Sequence, residues 1–195
     1  MVLMYHIFVL KEKAILLVGP TGIGKTPLGD LMEKKGLRGC RCFHFDFGAN
    51  LRVLAAVLLG THTLGTCTSG THTLGTHPFP EKKNDVSPIT VSPILDFFSP
   101  QERAVILDSL AGGALLENEN FPIAEKILNR FVAEKGVGLD DLLIMNGLPR
   151  HAGQARDLER SVEVRAVVCL AGTAAVIKER IRLDAGGDRA GRGAE

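Results

Sequence analysis

One passage, Ala14 to Thr26, restricts the fold more than any other part of the chain. Ala14-Ile-Leu-Leu-Val18 is a continuous apolar run ending at a glycine, the pattern of a strand buried within a parallel sheet. GPTGIGKT, Gly19 to Thr26, follows with no spacer. Pro27 then suits the first turn of a helix, where a missing N–H costs nothing. Leu28, Leu31 and Met32 supply one apolar face, and Gly36 stops the helix. Strand, glycine loop and helix in immediate succession read as the opening of a βαβ unit.

The same alternation continues downstream. Cys42–Asp46, Leu142–Asn146 and Val164–Leu170 read as further strands, with Gly147 and Pro149 as breakers after the third. Helices are predicted over Asn50–Leu59 and after Ser99-Pro-Gln-Glu102, which has the form of a capping box and opens a helix ending near Gly112 and Gly113. Ile123/Ala124, Ile127/Leu128 and Phe131/Val132 form an i, i+4 ladder, so another amphipathic helix lies there. Thr173 caps a last helix carrying Val176, Ile177, Arg180 and Ile181. Strands alternating with helices predict an α/β fold with a parallel sheet, and 195 residues are the size of one domain.

Several stretches stand apart from this scheme. GTHTLGT occurs at 60–66 and again at 70–76, and VSPI at 86–89 and 91–94. Residues 60–95 therefore read as a low-complexity loop, and His62, His72 and His77 as repeats in a solvated segment rather than metal ligands. The apolar start MVLMYHIFVL has no basic flank or small-residue cleavage site and is too short to span a bilayer. Residues 1–13 are read as an added strand or N-terminal extension, and the protein as cytoplasmic with no membrane partner. Cys40, Cys42, Cys67 and Cys169 do not form a disulfide framework. Cys40, Cys42 and His44 alternate on one strand face. With no second ligand pair at zinc-like spacing, they read as packed strand residues. A net charge of +1 gives no global attraction to nucleic acid, and a monomer is expected.

The loop carries the chemistry. Gly19, Gly24, Lys25 and Thr26 complete the pattern GxxxxGK[ST] between strand and helix. Glycines let the backbone curl so that successive N–H groups of Gly19, Thr21, Gly22, Ile23 and Gly24 point at one anion, and the helix start adds partial positive charge. Lys25 is expected to reach the β- and γ-phosphates of ATP, and Thr26 to place its hydroxyl on Mg²⁺.

NGLPRHAGQA, Asn146 to Ala155, resembles the segment DGFPRxxxQA of adenylate kinases and related nucleoside monophosphate kinases. FGANLR, Phe47 to Arg52, is similar to their TGDxLR; GALLENE, Gly113 to Glu119, to their GxLVPDE; and Arg180-Ile181 with GDRAGR, Gly187 to Arg192, to the start of their lid. The resemblance covers most of residues 14–192 outside the repeats. It implies a three-layer P-loop NTPase fold, with 48–118 as an acceptor-binding flap and 180–195 as the start of a lid. It also implies transfer of the γ-phosphoryl group of MgATP to a nucleoside monophosphate. Arg52 and Arg150 then grip the acceptor phosphate and Gln154 reads its base, roles that suit a guanidinium fork and an amide. Arg180, Arg189 and Arg192 cover the donor and its phosphates, with Lys25, Arg150 and Arg192 catalytic.

Departures from that family accompany the match. Asn146 stands where the family has the aspartate that holds Mg²⁺ through water; Asp46 at the end of the second strand is the other candidate for that task. Phe47 and Ala49 replace a threonine and an aspartate. The family continues beyond GR into a further strand and closing helix, so a C-terminally truncated relative is expected. Two other readings remain at this point: an ATP-binding relative without turnover, and a small-metabolite kinase of the shikimate or gluconate kinase type, in which Asp46 binds the substrate hydroxyl.

Overall fold

A computed structural model of the protein describes residues 11–60, 97–111, 116 and 118–183. The chain divides into two compact units, residues 1–50 with 116–195, and residues 51–115. The repeats, the helix end at Gly112 and Gly113, and most of the GALLENE segment lie outside the described residues.

The first unit is built on strands β1 (Glu12–Val18), β2 (Cys42–Asp46), β3 (Leu142–Asn146) and β4 (Val162–Cys169). All pairings are parallel and the sheet order is β2-β3-β1-β4. Its helices are α1 (Lys25–Lys35), α2 (Phe47–Leu58, which continues into the second unit), α4 (Phe121–Lys135), α5 (Ala152–Ser161) and α6 (Ala174–Leu183). A 3₁₀ turn covers Asn118–Asn120.

Alternation along the strands sorts the core into two layers. On one face Ile15, Leu17, Cys42 and Ile144 are buried against Leu28 and Met32 of α1. On the other, Ala14, Leu16, Phe45, Leu143 and Met145 are buried, and Phe45 meets the Phe131 ring of α4 at 5.2 Å. The predicted ladder of α4 is borne out, with Ile123, Ala124, Ile127, Leu128 and Phe131 all buried. Each of the larger side chains, Ile, Leu or Phe, contributes about 1.5–3 kcal/mol by leaving water. Helix, parallel sheet and helix thus form a three-layer α/β unit.

Several boundaries depart from expectation. Glu12 and Lys13 belong to β1, so the strand takes in residues assigned to an N-terminal extension; they pair with Val162 and Glu163 of β4. β4 itself starts at Val162, two residues early, because these partners extend the ladder. α2 starts at Phe47 rather than Asn50: Asp46 caps it, accepting from the Ala49 N–H at 2.9 Å. Leu31 is half-exposed, so the buried stripe of α1 is narrower than expected and runs through Leu28, Gly29 and Met32.

In the second unit, α2 buries Leu51, Leu54, Ala55 and Val57, and α3 (Pro100–Ala111) buries Ile106. The Ser99–Glu102 capping box forms in both directions. Ser99 N–H donates to Glu102 Oε2 at 2.8 Å, and Glu102 N–H to Ser99 Oγ at 3.2 Å. No helix among the described residues is long and apolar enough to cross a membrane.

Candidate functional site

The connections from β1 and β3 diverge: α1 leads from β1 toward β2, whereas α5 leads from β3 across β1 to β4. Right-handed crossovers in opposite directions put these helices on opposite faces and open a crevice beyond the carboxyl ends of β1 and β3. Gly19–Thr26 and Gly147–Arg150 follow those two strands.

The loop after β1 owes its shape to its glycines. Gly19, Gly22 and Gly24 have φ of 142°, 82° and 106°. A side chain at Gly19 would also strike the Leu170 carbonyl, and one at Gly24 would lie 2.7 Å from Arg180 Nη2. Gly24 is the N-cap of α1, no side chain caps that end, and the first turn holds no acidic residue. The opening N–H groups of α1 lack intrahelical acceptors, so this end of the helix favours an anion. Lys25 Nζ folds over the loop and donates to the carbonyls of Gly19 at 2.8 Å and Pro20 at 2.9 Å.

A polar cluster joins α1 to β2 and β3. Thr26 Oγ1 donates to Asp46 Oδ2 at 2.9 Å, and Asn146 Nδ2 donates to Thr26 Oγ1 at 3.0 Å and to Asp46 Oδ2 at 2.8 Å. Asp46 Oδ1 receives the Ala49 N–H, so both carboxylate oxygens are engaged. Asn146 is 5% exposed. One turn below, Asp30 bonds the buried His44 Nδ1 at 2.8 Å. The two contacts form a seam because four helical residues advance about 6 Å and two strand residues about 6.6 Å. Gly29 permits it: an added Cβ would collide with three atoms of the His44 ring, Cε1 among them at 2.6 Å. The seam was written in the sequence as Thr26 and Asp30 facing Asp46 and His44, a pairing that reading each element alone does not reveal.

The remaining expected site residues are distributed as follows. Arg150 follows β3, and its Nε donates to the Gly147 carbonyl at 2.9 Å, which orients the guanidinium. The Leu148–Pro149 bond is cis. Gln154, expected to read a base, is 1% exposed and engages backbone at both ends of its amide. It accepts from Arg150 N–H at 3.0 Å and donates to the Leu116 carbonyl at 2.7 Å. Ile181 of α6 lies against Gly22, as Arg180 lies against Gly24, so α6 backs the loop. Thr173 Oγ1 accepts from Val176 N–H at 3.3 Å, the expected cap. Arg52 is exposed on α2 in the second unit. Arg189 and Arg192 lie outside the described residues.

Cys42 is buried, and burial pushes its thiol above the usual range, with the nearby Cys40 thiol adding to the effect. At the opposite end of the strands Arg41 clamps the buried Asp141 carboxylate through Nε at 2.9 Å and Nη2 at 2.7 Å. That hydrogen-bonded pair raises the Arg41 guanidinium still further above neutrality. Among the described residues, no three His, Cys, Asp or Glu side chains gather as a metal cage. No family model and no curated protein matches the chain.

Proposed function

We propose that this protein is a P-loop phosphotransferase of the nucleoside monophosphate kinase type, moving the γ-phosphoryl group of ATP to a nucleoside monophosphate. The observation that carries the reading is the Gly19–Thr26 loop after β1: it combines glycines at positive φ, a helix start with no side-chain cap, and the Lys25 ammonium folded onto the Gly19 and Pro20 carbonyls.

Lys25 exchanges the Gly19 and Pro20 carbonyls for the more strongly accepting oxygens of a triphosphate. The loop N–H groups fix the β-phosphate. Arg180, already against Gly24, brings a second positive charge to the donor side. Arg150, oriented by Gly147, holds the acceptor phosphate. An acceptor phosphate oxygen attacks the γ-phosphorus, the bond to the β–γ bridging oxygen breaks, and ADP leaves with that electron pair. The protein's contribution is alignment and charge stabilisation. Thr26 and Asp46 offer the hard oxygen donors that suit Mg²⁺, which when bound neutralises charge on the β- and γ-phosphates.

A second reading, nucleotide binding without transfer, draws on Gln154. Its amide is occupied by Arg150 and Leu116 backbone, so the residue expected to read an acceptor base serves the architecture. Titration calorimetry with ATP and a coupled kinase assay with AMP, CMP, UMP and GMP separate the two. Turnover with any monophosphate supports the kinase; ATP binding with none supports the binder; no affinity for any triphosphate in folded protein refutes both.

A further inference from the structure

We propose that Asp46, at the end of β2, is the carboxylate that holds the cation of a bound nucleotide, in place of the residue at the end of β3; this rests on the triphosphate reading above. The hydrogen bonds around Thr26 assign the roles. A hydroxyl that binds a cation does so through an oxygen lone pair and needs an acceptor for its proton. Thr26 Oγ1 directs that proton to Asp46 Oδ2 at 2.9 Å.

Asn146 meets the same two atoms as a donor, at 3.0 Å to Thr26 and 2.8 Å to Asp46. A carboxylate oxygen on one side demands a donor, which sets the amide with its nitrogen toward the cluster. An N–H₂ group pointed into a cation site cannot ligate it. The one formal negative charge in the cluster is therefore on Asp46.

Asp46 is also held in place. Its Oδ1 accepts from the Ala49 N–H at 2.9 Å, and Asn50 Nδ2 donates to its carbonyl at 2.8 Å. The first turn of α2 thus fixes the carboxylate and turns Oδ2 toward Thr26. One hydroxyl and one carboxylate make a partial donor set, suited to a cation that arrives with phosphate oxygens and water. A resident metal would need more side chains than the described residues bring together.

The test uses the full chain and measures ATP affinity by calorimetry, in EDTA and in Mg²⁺, together with Mn²⁺ binding to the ATP complex by electron paramagnetic resonance. Wild type is expected to bind ATP more tightly with Mg²⁺ than in EDTA. Asp46→Asn removes that gain and weakens Mn²⁺ binding by about tenfold to a hundredfold. Asn146→Asp leaves Asp46 intact and strengthens Mn²⁺ binding. The double exchange, Asp46→Asn with Asn146→Asp, recovers metal dependence lost in the single variant. Wild-type Mn²⁺ affinity in folded Asp46→Asn overturns the assignment while leaving triphosphate binding intact. Failure of the wild-type chain to bind ATP in either condition overturns the parent reading and this one with it.

Discussion

Replacing Gly29 by alanine tests whether the seam between α1 and β2 is as tight as the side-chain geometry requires. In a generic helix interior the change stabilises by about 1 kcal/mol, because glycine loses more backbone freedom on folding. Here the new methyl enters the His44 ring, with Cε1 2.6 Å away, in a position real Cβ atoms do not occupy. The ring cannot retreat cheaply: its side chain is 4% exposed and Nδ1 is tied to Asp30. Overpacking of this kind costs about 1–3 kcal/mol. Displacing the ring from the Asp30 carboxylate, itself 64% exposed, adds about 1 kcal/mol after discounting for solvent. The propensity gain offsets only part of this, so the net loss is about 1–3 kcal/mol, a fall in melting temperature of about 2–12 °C at roughly 2–4 °C per kcal/mol. Urea unfolding followed by circular dichroism measures it. His44→Ala added to Gly29→Ala relieves the collision, so the pair should be non-additive by about 1 kcal/mol or more. A Gly29→Ala protein at least as stable as wild type would refute the account.

Three further expectations follow from the same geometry. Lys25→Ala abolishes turnover and weakens triphosphate binding by at least about tenfold, an effect worth roughly 1.4 kcal/mol; calorimetry and the coupled assay read both. Gln154→Leu strands the Leu116 carbonyl and the Arg150 N–H, lowering stability by about 2–4 kcal/mol in urea; an unchanged midpoint would show the amide to be dispensable. Raising the pKa of Cys42 leaves less thiolate at any given pH, so iodoacetamide at pH 8 modifies the exposed Cys169 well before Cys42. Peptide mass mapping gives the order, and equal rates would contradict the burial of Cys42.

Most of the first unit was legible because its signals are local. The run Ala14–Val18, the stop at Gly36, the strands Cys42–Asp46 and Leu142–Asn146 and the ladder from Ile123 to Phe131 each declare themselves within a few residues. What escaped depends on partners distant in sequence. Asp46 was legible as a strand end and as a candidate for a cation or a substrate hydroxyl, but not its bond to Thr26, 20 positions away. Gln154 sits on a short helix, and its burial is explained by the Arg150 N–H together with the Leu116 carbonyl, 38 positions away. Nothing in Gly29 marks it as special until His44 is brought beneath it. For the site the same division holds: the loop is contiguous and readable, whereas the choice between Asp46 and Asn146 needs the direction of each hydrogen bond.

β4 shows what an asymmetric sheet does to its own working end. Only Val162 of that strand is buried, while Val167 and Val168 are 57% and 36% exposed, so among the described residues the ladder to β1 is its main fastening. The last rung, Leu170 N–H to the Val18 carbonyl at 2.8 Å, sits one residue before Gly19. Fraying at this end of β4 therefore loosens the backbone that leads into the loop. By thermodynamic linkage an occupant of the loop present at a hundred times its dissociation constant opposes that event by about 2.7 kcal/mol. Amide hydrogen exchange along β4 then becomes a remote gauge of whether the loop is filled.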